Sequence, residues 1–154
     1  MANTMDNDDL IELLNDLIET SKDGEFGFRE CAQHAKSADL KQTFLARAED
    51  CRRGAEELAA QVTSLGGKPE EGGSATGALH RGWVAARSAL TTYDDKAMLE
   101  ECERGEDVAV GRYRKALEKP LPDDVRNLLE RHLMGAQRNH DQIKALRNQA
   151  RAAS

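Results

Sequence analysis

Residues 66–94, GGKPEEGGSATGALHRGWVAARSALTTYD, decide the fold, because they separate two pairs of long amphipathic segments. Gly66 to Gly73 form a Gly/Pro-rich linker, and Ser74 to Leu90 then place Leu79, Trp83, Ala86 and Leu90 on one side of a short helix. A link of roughly 29 residues can run the length of a helical bundle and start the next helix parallel to the last, whereas a plain up-down bundle needs no such span. The expected architecture is all-α: one domain over residues 1–154, built as a four-helix bundle with a long crossover that carries a short extra helix (about 74–90).

Outward from that link, each flank reads as a helical hairpin. On the N-terminal side, Leu10, Leu14, Leu17, Ile18, Phe28 and Ala32 recur at steps of three and four residues, predicting a helix over about 8–35. Ser37-Ala38-Asp39 offers a turn and an N-cap, after which Leu40, Phe44, Leu45, Ala48, Ala55, Leu58, Ala59 and Val62 carry the period over about 38–65. Gly66-Gly67 and Pro69 stop it. On the C-terminal side a helix over about 95–118 carries Met98, Leu99, Cys102, Ala109, Val110, Tyr113 and Leu117. Lys119-Pro120-Leu121-Pro122 ends it, and a last helix over about 122–150 carries Val125, Leu128, Leu129, Leu133, Ala136, Ile143 and Leu146. The two hairpins resemble each other: Lys22-Asp23-Gly24-Glu25 matches Glu103-Arg104-Gly105-Glu106, a faint internal duplication.

Composition removes several function classes. Twenty-two Lys and Arg stand against 28 Asp and Glu, a net charge of -6, so the main driving force for gripping DNA, RNA or an anionic membrane is missing. No apolar run reaches the roughly 18 residues a membrane span requires, and the start Met-Ala-Asn-Thr-Met-Asp-Asn-Asp-Asp is acidic, unlike a secretory signal; a cytoplasmic protein is expected. Cys31, Cys51 and Cys102 are far apart and lack C-x-x-C spacing, which reads as reduced, packing cysteines. The glycine-rich nucleotide motifs, the G-x-S-x-G elbow and H-E-x-x-H are absent, so nucleotide binding and the common hydrolase routes have no support.

Four ionisable residues fall on apolar faces. At about 100° per residue, Glu25 lies within roughly 40° of Ile11, Leu14, Ile18 and Ala32, and Glu106 lies among Leu99, Cys102, Val110, Tyr113 and Leu117. Arg52 shares its face with Leu45, Ala48, Ala55 and Ala59, and His140 with Leu129, Leu133, Ala136 and Ile143. Desolvating a lone carboxylate costs several kcal/mol, so a partner, a metal or a proton must neutralise Glu25 and Glu106. His34 lies about 180° from Glu25 and is expected in solvent, and His132 is expected on the flank of its helix. Glu56, Glu57, Glu100, Glu101 and Glu103 read as solvated helix charges, with Glu103, one turn from Glu106, the reserve ligand.

Lys22-Asp23-Gly24-Glu25-Phe26-Gly27-Phe28, Gly77-Ala78-Leu79-His80-Arg81-Gly82-Trp83, Glu103-Arg104-Gly105-Glu106-Asp107 and the His140 helix together resemble the uncharacterised bacterial ferritin-like proteins, single four-helix-bundle domains of unknown function. The resemblance covers nearly the whole chain and implies the fold. Ferritins and rubrerythrins of this architecture oxidise iron or reduce peroxide at a di-metal centre, with one Glu on each of two helices and Glu-x-x-His on each of the others. This chain has Gln137-x-x-His140 on one of those helices and Arg52-x-x-Ala55 at the matching place on the other, which leaves the set incomplete.

Two readings of the site therefore stand. In the first, Glu25, Arg52, Glu106 and His140 form a buried polar cluster in place of a di-metal centre, and the protein is a non-catalytic structural or stress-associated bundle. In the second, Glu25, Glu106 and His140 hold a single Fe, Mn or Zn ion with residual redox activity. His80 is expected at the surface, with Trp83 packing the crossover helix onto the bundle. A homodimer is the expected assembly, since long amphipathic helices self-associate along apolar strips.

Overall fold

The computed structural model describes residues 4–71 and 95–153, and among them four helices and no strand. They are α1 (Asn7–His34), α2 (Ala38–Ser64), α3 (Asp95–Leu117) and α4 (Asp123–Ala153). The expected crossover helix, with His80 and Trp83, lies outside the described residues. No helix described is long and apolar enough to cross a membrane.

Local chemistry sets each helix end. The Asp6 side chain accepts the Asp8 N–H at α1, and Ser37 accepts the Leu40 N–H at α2. At the far end of α2, Gly66 takes a φ of 85°. Gly66 N–H donates to Thr63 C=O and Gly67 N–H to Val62 C=O, a Schellman closure that needs the left-handed conformation glycine supplies. Gly67 is fixed by space, because a Cβ there would lie 2.8 Å from Ile11 Cδ1. Asp95, opening α3, accepts the backbone N–H groups of Lys36 and Ser37, tying the first hairpin turn to the start of the second hairpin.

The pairings reveal the topology. Cys31 Sγ lies 3.6 Å from Cys102 Sγ, and Arg112 Nη1 donates to Thr20 Oγ1 at 2.6 Å, so α1 and α3 run antiparallel. Arg47 with Gln142 and Gln61 with Asp124 make α2 and α4 antiparallel as well. Consequently α3 runs parallel to α2, the arrangement that the length of the 66–94 link implied. α2 and α4 touch sparingly, whereas α1 with α2 and α3 with α4 pack along their lengths.

The core has two apolar halves. At one end Phe28, Phe44, Met98, Leu99, Cys102 and Ile143 are 0–1% exposed. At the other, Leu10, Leu14, Ile18, Leu58, Val62 and Leu129 are 0–2% exposed. Burying a side chain of this size stabilises the fold by about 1.5–3 kcal/mol. Cys31 and Cys102 are buried free thiols within the first half.

Candidate functional site

Between the apolar halves the bundle has a polar waist. α1 buries Thr20, Ser21, Asp23, Gly24 and Gly27 there, residues too small or too polar to extend the core. The missing bulk leaves a chamber of about 410 Å³, walled by all four helices.

Beside that chamber, α3 and α4 bring together four ionisable groups. Glu103 and Asp107 are one turn apart on α3, and His140 and Arg147 are two turns apart on α4, so each pair shares a face. His140 Nε2 lies 2.6 Å from Asp107 Oδ1 and 3.9 Å from Glu103 Oε1. Arg147 Nη1 ion-pairs with Glu103 Oε2, and both side chains are largely buried. The ligand-capable atoms of Glu103, Asp107 and His140 all lie within 4.8 Å of one another. At the rim, Asp141 Oδ1 lies 3.3 Å from His140 Nδ1 and accepts from Gln137 Nε2; these contacts hold its carboxyl below the usual range.

One turn beyond Glu103 the chemistry changes. Glu106 is 6% exposed on the chamber wall, and burial pushes its carboxyl up to about 8, helped by Asp50 and Asp107 and opposed by Arg47. Further along, Tyr113 Oη meets His132 Nδ1 at 3.2 Å, and His132 Nε2 meets Glu57 Oε1 at 3.3 Å. Burial lowers the affinity of His132 for a second proton, with Glu57 opposing. Burial also raises the Tyr113 phenol.

The predicted site residues thus go to different places. His140 joins the acidic cluster and Glu106 faces the interior. Glu25 does neither: Arg29 Nη2 holds its carboxylate at 2.8 Å on the helix surface. The physical reason is that α1 packs against both α2 and α3, which widens its buried face to take in Thr20, Gly24, Gly27 and Cys31, on average roughly 130° from Glu25. Arg52 turns to Glu49 and Glu56 on its own helix, not to the acids of the core. Its expected face was anchored on Leu45, which is 44% exposed; the buried face of α2 follows Phe44, Ala48, Ala55, Leu58 and Val62, roughly 75° away.

Other expectations are corrected by the same contacts. Gln137 is engaged by Arg114 and Asp141, while Ala55 belongs to the core as its apolar period predicts. His132 is a half-buried hydrogen-bonding hub that meets Tyr113 and Glu57, and His34 is half-buried too. Glu101 and Glu103, read as solvated, are 5% and 8% exposed, with Arg104 and Arg147 as their partners. Asp107 and Arg147 were not singled out, although Arg147 lies roughly 20° from His140 around α4. A di-metal centre does not fit these residues, because an arginine, an alanine and an engaged glutamine stand where ligands are required and Glu25 is turned to Arg29.

A mutant of Mycobacterium smegmatis Dps1 is similar in structure, with 18% identity and a TM-score of 0.71 over 90% of this chain and 95% of that one. This likeness shows the ferritin-like four-helix bundle. No curated protein matches the chain. A family model matches α1, α2 and α3 and stops before α4, which carries His140 and Arg147. Through that match over residues 9–119, the chain belongs to the family described as Domain of unknown function (DUF2383).

Proposed function

We propose that this protein is a non-catalytic ferritin-like bundle in which a protein-neutralised polar cluster replaces the di-metal centre. The observation that carries this reading is the Arg147–Glu103 ion pair beside the Asp107–His140 contact. A guanidinium is permanently charged and cannot ligate a metal, and here it supplies the countercharge that an ion would supply elsewhere. The role is structural or stress-associated, in the cytoplasm, as one domain acting through assembly. A homodimer is the assembly proposed, and the exposed Leu45, Val108 and Met134 offer apolar surface to it. Aerobic Fe(II) oxidation tests the absence of catalysis: the expected rate with protein equals the rate in buffer, and a protein-dependent acceleration with turnover would overturn it. Light scattering tests the dimer.

The mutual approach of Glu103, Asp107 and His140 favours a second reading, a single Fe, Mn or Zn site on α3 and α4. In that case Arg147 has to release Glu103 when the ion enters. The sequence-derived set Glu25, Glu106 and His140 keeps only His140 in this arrangement. Chelator would then lower Tm of the metal-loaded wild type and leave Asp107→Ala unmoved.

A further inference from the structure

The waist chamber shares no residue with the Glu103–Asp107–His140 cluster, and no metal reading of that cluster explains it. Its volume of about 410 Å³ falls within the range of small-molecule sites, about 300–1,000 Å³. Each helix contributes one glycine to the wall: Gly24, Gly54, Gly105 and Gly135. A glycine inside a helix costs about 1 kcal/mol relative to alanine. Close packing accounts for Gly24, where a Cβ would lie 2.8 Å from Cys51 Sγ, whereas Gly135 borders open space, the nearest atom a Cβ there would meet being Arg138 Nη2 at 4.0 Å.

A second, independent feature points to what enters. Glu106 is 6% exposed on the chamber wall, and no described side chain hydrogen-bonds or ion-pairs with it. Its nearest cation, Arg47, has its terminal nitrogens on Gln142 Oε1 at 2.7 Å and Asp50 Oδ2 at 3.1 Å. A buried carboxyl facing open space without a donor is an incomplete interaction. Four arginines lie at the exposed rim of the chamber: Arg53 is matched by Asp50 and Arg131 by Glu57, Arg112 donates to Thr20 Oγ1, and Arg138 stands beside Gly135. Phe28, Val108, Ala109 and Ala136 supply apolar wall.

We propose that the chamber binds a small organic cation, a primary ammonium on an apolar body, with the ammonium on Glu106 and the body against Phe28 and its apolar neighbours. On binding, Glu106 gives its proton to solvent and its carboxylate takes the ammonium's hydrogen bonds and charge, while the space beside Gly135 makes room for carbon.

The test is calorimetric titration of the full chain at neutral pH with benzylamine, against benzyl alcohol and benzoate as neutral and anionic counterparts of the same size. The expected result is saturable benzylamine binding, with both counterparts weaker by at least about tenfold. Glu106→Gln removes the ionisable carboxyl while keeping the shape, and Gly135→Leu fills the space while improving helix propensity; each is expected to weaken benzylamine by at least about tenfold in a chain that still melts cooperatively. Absence of saturable binding, alcohol or benzoate binding as tight as the amine's, or unchanged amine affinity in either variant would overturn the proposal.

Discussion

Glu103 and Glu106 sit one turn apart on α3, are buried to nearly the same degree, and live in opposite electrostatic worlds. Glu103 meets Arg147 and His140 from α4 and is ion-paired within its cluster. Glu106 meets the chamber and has its proton affinity raised by burial. Burial of an acid therefore carries little meaning by itself; what decides the chemistry is whether the facing helix delivers a long cationic side chain or a small residue. α4 delivers Arg147 to the first site and Gly135 and Ala136 to the second.

The strongest way to break this contrast is Arg147→Ala, which strands Glu103 in the interior. Losing one partner of a buried pair costs about 3–5 kcal/mol, and urea unfolding of the variant is expected to show a loss of that size. A loss too small to resolve would mean that solvent, and not Arg147, neutralises Glu103.

Comparable in size is the pH response of Glu106. Its folded-state pKa of about 8 lies above the ordinary 4.5, so the folded chain holds a proton that the unfolded chain releases across that interval. The stability this contributes is complete below the ordinary value and is lost as pH rises through about 8. Glu106→Gln removes the dependence, and the difference between wild type and variant, followed by denaturant unfolding, is expected to change by up to about 5 kcal/mol from acid to alkaline pH. A constant difference across that interval would show that Glu106 is solvated.

Two smaller effects sharpen the contrast from outside the waist. Gly67→Ala drives a Cβ into Ile11 at the end of α2 and is expected to cost about 1–3 kcal/mol, with no change in the waist chemistry. Arg52→Ala removes only exposed pairs with Glu49 and Glu56, and its Tm is expected to stay within about 2 °C of wild type. A large loss from Arg52→Ala would restore that residue to the core, where the apolar stripe had placed it.

Helices, hairpins and their direction were readable in the sequence because three signals agree there: apolar period, cap residues such as Ser37 and Gly66, and the length of the link. The waist was readable only in part. Stripes of large residues locate a helix face where large residues pack, as around Phe44 and Leu58, but the waist is lined with Thr20, Gly24, Gly54 and Gly135, which carry little hydrophobic signal. Glu106 and His140 lie between large apolar neighbours and were placed inward. Glu25 and Arg52 lie where the true face is marked by small residues or misread through exposed Leu45, and the angle came out wrong. Arg147 was within reach of helical geometry, but a long charged residue near a polar tail gives no sign of which acid it will meet.

The central claim is that Arg147 and His140 complete the acidic cluster without a metal. Elemental analysis of protein purified without a metal-affinity step, then loaded anaerobically with Fe(II) or Mn(II) and desalted, tests it most directly. The account predicts no stoichiometric retention; one metal ion or more per chain, lost on Asp107→Ala, would contradict it.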